Sequence, residues 1–300
     1  MTNKTHILKW LAYFEVFQHP LKDSELAMLC DGDLILVKSE IAELTQQGKC
    51  YTFENFVSLA SDVEKIVTDR KDKEREASDY FAQLPRYVRL IKKFPFVQGI
   101  GISGSLSKNV MHKNGDIDYF IVTVENRLWL CRTLLILYKK IFLLNSRKYF
   151  CLNYFVDENN LKIEDENIFT AVEIEYLMPA YNKEVFEELK KQNDWTKKHI
   201  PTIKNDFSID CIEKRKGLSV LEKLLDGKMG EQLDLFFMRL TYNRWQKKFP
   251  NFPKQKFDQT MRTQRGISKH HPKDFQTKVL TKFESNFKTM NLDNENIIQS

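Results

Sequence analysis

The sequence predicts an α+β protein: a mixed sheet flanked by helices, with a small helical module and hairpin before it and a helical region after it. Short apolar stretches at 97–102, 116–124 and 148–156 have the length and composition of strands. Around them apolar residues recur at helical spacing, most plainly over 34–47, 127–144 and 229–248. Turn-forming residues stand where these patterns stop, at Gly32-Asp33, Gly48, Glu54-Asn55 and Gly104-Ser105.

Residues 1–60 form the first module. Ile7 to Phe17 has helical spacing and Pro20 interrupts it. Asp23-Ser-Glu-Leu26 opens a short second helix behind a polar cap. Leu36, Val37, Ile41 and Leu44 mark a third helix over 34–47, which Gly48 ends. Cys50 to Leu59 alternates about Glu54-Asn55 as a hairpin does. Three helices and a wing suggest a winged helix. Its third helix carries Lys38, Glu40 and Glu43, too little positive charge for a helix that reads DNA. Docking to protein or packing within the chain is the favoured role.

Residues 61–94 read as a helical connector with mixed charges, which Pro85 is expected to break or restart. Residues 95–190 hold the sheet, with helices expected at 127–144 and 170–190. Residues 191–300 read as helical and basic. There Leu233, Phe236, Phe237, Leu240 and Trp245 form an expected core stripe. Phe275, Val279, Leu280, Phe283 and Phe287 line one side of a last helix.

The chain has 300 residues and 22 Phe, enough for a sizeable core. Its five cysteines lack CxxC spacing, which points to reduced thiols and a cytoplasmic protein rather than a zinc site or disulfide framework. The N-terminal residues have no signal-peptide pattern. Arg132, Lys139 and Lys140 break the longest apolar run, Leu128 to Leu144, so no membrane span is expected. The net charge is +6, but residues 239–290 carry 13 Lys/Arg against 3 Asp/Glu, or +10, leaving −4 elsewhere. Such a basic end suits phosphate-bearing partners or a solvated helical surface.

The chemistry concentrates in Gly101-Ile-Ser-Gly-Ser-Leu-Ser-Lys108 and Gly115-Asp-Ile-Asp-Tyr-Phe-Ile-Val122. Alternation along a strand puts Asp116 and Asp118 on one face. Paired carboxylates in apolar surroundings repel each other unless a cation neutralises them, and hard oxygen ligands suit Mg²⁺. A Gly-Ser turn opposite lets backbone N–H groups approach a phosphate. These parts describe a site for a metal-bound nucleoside triphosphate.

Over about residues 95–157 the pattern resembles the nucleotidyltransferase superfamily related to DNA polymerase beta, whose signature is Gly-Ser, a spacer and Asp-h-Asp-h. Arg127 to Arg132, Cys151 to Tyr154, Asn193-Asp-Trp195 and Ser268-Lys-His-His-Pro272 look more loosely like uncharacterised bacterial nucleotidyltransferase-domain proteins. The resemblance implies that an acceptor attacks the α-phosphorus of a nucleoside triphosphate and releases pyrophosphate. It implies Asp116 and Asp118 as ligands of two Mg²⁺ ions. It also implies Gly104 and Ser105 as the grip on the β- and γ-phosphates, with Ser103 and Ser107 as helpers. The family's third carboxylate falls here at Asn153; Asp157 and Glu173 are the acidic candidates nearby, with Glu175 on the same expected helix.

Lys108 reads as a phosphate-neutralising residue or a loop lysine, and one of Arg127 and Arg132 is expected to face the site. His270-His271 reads as phosphate-facing or structural, and His112 as exposed. Gly99-x-Gly101 reads as a coincidence at a strand end. The leading reading is a Mg²⁺-dependent nucleotidyltransferase acting on a nucleic-acid end, a protein or a small metabolite. The alternatives are a nucleotide-binding regulator without turnover and a nucleic-acid-binding protein using residues 6–60 and 239–290.

Overall fold

A computed structural model describes residues 3–203, 210–215, 217 and 219–298. The chain opens with α1 (Asn3–Glu15), β1 (Leu21–Lys22), α2 (Asp23–Leu29), α3 (Leu34–Gln46), β2 (Tyr51–Phe53) and β3 (Phe56–Ser58). The three strands form an antiparallel sheet in the order β1-β3-β2. Asp33 starts α3 by accepting the N–H groups of Ile35 and Leu36 at 2.9 and 3.1 Å. Glu54 takes positive φ in the tight turn between β2 and β3.

Helix α4 (Val63–Ile91) runs unbroken, with Pro85 inside it. The expected break is absent. Ala77, Tyr80, Leu84, Val88 and Ile91 form one buried stripe along α4. That continuous burial holds the helix together across the proline.

The main sheet contains β4 (Val97–Ser103), β5 (Asp118–Thr123), β6 (Cys151–Asp157), β7 (Met178–Tyr181), β8 (Thr263–Gln264) and β9 (Ile267–Lys269), in the order β7-β4-β5-β6-β9-β8. Among the named strands β5 and β6 alone pair with each other in parallel, and α5 (Leu128–Phe142) crosses between them. The remaining pairings are antiparallel, so the protein is α+β with a mixed sheet.

The helix expected over 170–190 is two helices, α6 (Ile168–Glu175) and α7 (Lys183–Gln192), with β7 between them. Pro179 disfavours helix for the residue before it, and β7 is an edge strand, where a missing N–H is tolerated. Gly99 and Gly101 are not a coincidence. A Cβ at either would come within 2.5 to 2.8 Å of Val185 or Phe186, so both glycines let α7 lie close on the sheet. The C-terminal region holds α8 (Val220–Leu224), α9 (Lys228–Lys248), α10 (Lys254–Thr260) and α11 (Phe275–Ile298), interrupted by the unexpected hairpin β8–β9.

Two cores sandwich the sheet. Phe120, Val122 and Val156 face α1 to α3, the 161–203 segment and Val279 of α11. Tyr119, Ile121 and Phe155 face α4, α5, Trp245 and Phe257. The N-terminal module thus shares its core with the sheet, and α11 closes onto α1 through Tyr13–Phe283 and Phe17–Phe275 ring contacts. The stripe expected on α9 is only partly core: Trp245 is buried, whereas Phe236 and Leu240 are 56 and 52 % exposed. No helix among the described residues is long and apolar enough to cross a membrane.

Arg70 ties the module to α4. Its buried guanidinium donates to Glu25 at 2.5 and 2.8 Å, to Glu74 at 3.1 Å and to the Pro20 carbonyl. Arg70→Met strands those acceptors and should lower unfolding stability in urea by about 3 kcal/mol. A loss below about 1 kcal/mol would mean the cluster is solvent-compensated.

Candidate functional site

The site forms where β4 ends and β5 begins. Ser103 pairs with Asp118 in the ladder, so the chain leaving β4 must turn directly over the Asp118 carboxylate. Gly104 makes that turn at φ +70°, and a Cβ there would stand 2.8 Å from Asp118 Oδ2. Only glycine meets both conditions without strain. A 3-10 turn over Leu106–Lys108 follows. Ser107 Oγ donates to the Gly104 carbonyl at 2.9 Å. The loop is then pinned to α4 by the Met111 N–H on the Lys73 carbonyl at 2.9 Å and by Tyr80 Oη on the Gly115 carbonyl at 2.9 Å.

Asp118 is half-buried, and desolvation pushes its carboxyl up from 3.8 to about 6. The nearby Asp116 and Glu173 carboxylates add to the rise, while hydrogen bonds from the Cys151 thiol and the Asn153 amide oppose it. Asn153 Nδ2 donates to Asp118 Oδ1 at 2.8 Å. Asp116 precedes β5 and has no hydrogen-bond or ion-pair partner among the described residues. No lysine or arginine neutralises either aspartate through an ion pair among those residues.

The structure brings together Ser103, Gly104, Asp116, Asp118, Lys108, Asn153 and Glu173. Glu173 reaches over from α6: its Oε2 accepts the Gly104 N–H at 3.2 Å and its Oε1 pairs with Lys108 Nζ at 2.9 Å. Lys108 also donates to the Gly104 carbonyl at 3.1 Å and lies over the Tyr176 ring. It is therefore part of the turn rather than an ordinary loop lysine. Ser105 is exposed, and its carbonyl accepts the Lys108 and Val110 N–H groups.

Asp157 does not belong to this cluster. It pairs with Thr123, at the opposite end of β5 from Asp118. The register between β5 and β6 also shifts by one residue at Asn153. The shift puts Tyr154 and Val156 on the Asp118 face and reverses the parity that aligned Asp157 with Asn153. Asp157 instead accepts from Asn159 N and Asn160 Nδ2 at 3.1 and 2.6 Å, fixing the loop after β6. Glu175 points away as well, accepting Thr196 Oγ1 at 2.7 Å.

Arg127 is structural, donating to the carbonyls of Asn126, Leu225, Asp226 and Gly227. His112 is exposed, as expected. Sequence reasoning left two features unassigned. One is the shift at Asn153, which carries no sequence signal. The other is Lys139, which shares a face of α5 with Arg132 at i, i+7 spacing.

The residues fit a divalent cation in donor chemistry: Asp116 and Asp118 are hard oxygen donors with uncompensated charge. Among the described residues no three His, Cys, Asp or Glu side chains already converge as a ready-made ligand set, so further ligands would come from substrate oxygens or water. No protein-family model, curated protein or solved structure matches this chain.

A raised carboxyl makes the folded metal-free protein bind its proton more tightly than the unfolded chain does. Stability therefore falls as pH rises from about 4 to about 6. Asp118→Asn removes that term, and in chelator its melting curves should show a gain of about 1–3 kcal/mol at pH 7 that vanishes by pH 4. Gly104→Ala should have the opposite sign, destabilising by about 1–3 kcal/mol at both pH values. Equal stability of Gly104→Ala and the parent would refute the close approach of the turn to Asp118.

Proposed function

We propose that the chain is a Mg²⁺-dependent nucleotidyltransferase that moves a nucleoside monophosphate from a nucleoside triphosphate to an acceptor. The observation that carries this reading is the left-handed Gly104 turn set against the Asp118 carboxylate, with Asp116 beside it. In this reading Asp116 and Asp118 hold the ions, and the metal supplies Lewis-acid stabilisation of the charge that develops on the α-phosphate and the leaving group. The Gly104 and Ser105 backbone, with Ser103 and Lys108, receives the β- and γ-phosphates.

Glu173 gives this reading a particular form. The Gly104 N–H and Lys108 ammonium, which would meet phosphate, both hold the Glu173 carboxylate. An entering triphosphate competes with Glu173 for those donors. Once displaced, the carboxylate lies near Asp118 and can accept a proton from the acceptor hydroxyl, the work that the family's third acid does. Asn153 cannot take that proton, but it orients Asp118.

The fold around the site supports two further parts of the proposal. Residues 3–58 have the helix and strand order of a winged helix. The exposed end of α3 presents Leu34, Ile35 and Leu36, and Glu43 pairs with Lys4. We read this module as a packing and protein-contact element rather than a DNA reader. Four of the 13 basic residues of 239–290 are paired: Arg262 and Lys269 with Asp165, Lys256 with Asp274 and Arg265 with Glu231. Those four have a local structural role. Four of the five cysteines are buried and all five are free, in keeping with a cytoplasmic setting.

A nucleotide-binding regulator without turnover is the second reading, favoured by an amide at Asn153 where the family has an acid. Two measurements separate the readings. With labelled nucleoside triphosphates, Mg²⁺ and a panel of acceptors, the parent should release pyrophosphate, and Asp116→Ala/Asp118→Ala should lose on the order of a thousandfold in rate. Activity surviving the double substitution removes the enzyme reading. Glu173→Gln should tighten triphosphate binding several-fold in calorimetry, because a neutral amide competes less well for Lys108. If that variant binds tightly and neither protein turns over, the regulator reading stands.

A further inference from the structure

Outside the acidic cluster, α5 carries two buried cations with no anionic partner. Arg132 and Lys139 are each 8 % exposed, and neither forms an ion pair or side-chain hydrogen bond among the described residues. Buried guanidinium groups are ordinarily matched by carboxylates, as Arg70 is here. Arg132 instead lies against three aromatic rings, 5.0 Å from Trp245, 5.6 Å from Trp129 and 6.0 Å from Phe155. These faces hold its position, and no protein acceptor meets its N–H donors among the described residues.

Polar groups from β9 share this location. Ser268 pairs with Phe155 in the β6–β9 ladder, on the sheet face where Arg132 stacks. Ser268 is fully buried, and its Oγ has no hydrogen-bond partner. Two residues along, His270 comes back to the same face. Its ring lies 4.9 Å from Trp245, and it feels Arg132, Lys248 and Arg147 electrostatically. Burial and those cations hold its imidazole far below the usual range, at about 3, so at neutral pH it is an uncharged donor and acceptor. His271 points the other way, toward Tyr154. Lys248 and Arg147 are exposed and act on the His270 ring from the surface. An unpartnered hydroxyl, a guanidinium without an ion pair and a neutral imidazole thus share one face of the sheet.

The position relates this spot to the aspartates. Lys139 lies within electrostatic reach of both Cys151 and Asp116. The His270 N–H donates to the carbonyl of Asn153, the residue that holds Asp118. The two sites lie on opposite faces of the sheet and share the Asn153 residue between them.

We propose that Arg132, Ser268 and His270 form an oxyanion site that binds a phosphate group, with Lys139, Lys248 and Arg147 supplying long-range attraction. The site stands on its own geometry, on the sheet face opposite the aspartates, and does not rest on the nucleotidyl-transfer reading.

The test uses the full chain without metal or nucleotide. Inorganic phosphate is titrated while tryptophan fluorescence is followed, since Trp129 and Trp245 flank Arg132. Saturable binding is expected, weakened about tenfold or more in Arg132→Met. Ser268→Ala removes a buried hydroxyl, so it folds at least as well as the parent, and it should bind several-fold more weakly. Asp118→Asn should bind as the parent does. A phosphorylated nucleotide that competes with phosphate, where its dephosphorylated nucleoside does not, assigns the ligand to a phosphate ester. A nucleotide that does not compete assigns it to free phosphate, and either result supports the site. Absence of saturable binding, unchanged affinity in both Arg132→Met and Ser268→Ala, or loss in Asp118→Asn alone would overturn the site itself. None of these outcomes depends on nucleotide turnover, so failure of the transferase reading remains separately visible.

Discussion

The contact between the Gly104 turn and the Asp118 carboxylate constrains most of the surrounding structure. Antiparallel pairing sets Ser103 opposite Asp118, so the backbone leaving β4 has nowhere to go but over that side chain. A left-handed glycine is the conformation that permits it. Once the turn is made, Ser107 and Lys108 fold back onto the Gly104 carbonyl, and the following loop is caught by α4. The result is a half-buried carboxylate whose partners are an amide and a thiol rather than a cation. Stability alone would favour an apolar residue there.

A single register shift at Asn153 has effects in both directions. Toward the acids, it lets Asn153 and Cys151 both meet Asp118. Along β6 it exchanges the faces, which places Val156 in the core under the N-terminal module and Phe155 in the opposite core with α5. Toward the edge, the Asn153 carbonyl takes the His270 N–H and so fixes where β9 joins the sheet. The unexpected hairpin is what delivers Ser268 and His270 to the face where Arg132 lies.

Much of this was legible in the chain. Periodicity located α1 to α3, the β2–β3 hairpin and the strands from β4 to β6, because each has a run of apolar residues bounded by turn residues. The Gly-Ser and Asp-x-Asp pattern located the candidate site, because ladder pairing brings those two segments together whatever lies between them. The misses have physical causes. Pro85 breaks helices in isolation, but a long buried stripe on α4 outweighs it. The strands β7, β8 and β9 are two to four residues long, too short for alternation to register. Asp157 was misplaced because parity counting assumes an uninterrupted ladder. Phe236 and Leu240 share a helical stripe with Trp245, but α9 buries only part of that stripe.

The distribution of buried charge gives these features a common physical meaning. On opposite faces of β5 and β6 the chain holds half-buried acids and buried cations, neither in an ion pair among the described residues. Folding could have lowered both costs by pairing the two groups, as it does at Arg70 with Glu25 and Glu74. Instead Asn153 and Cys151 are the neutral partners of Asp118, and tryptophan rings hold Arg132 on the other face of the sheet. Opposite charges kept apart in a protein set up a field between two fixed points. The same arrangement explains why a carboxylate, Glu173, lies on the Gly104 N–H and Lys108, since it supplies negative charge where the protein presents donors.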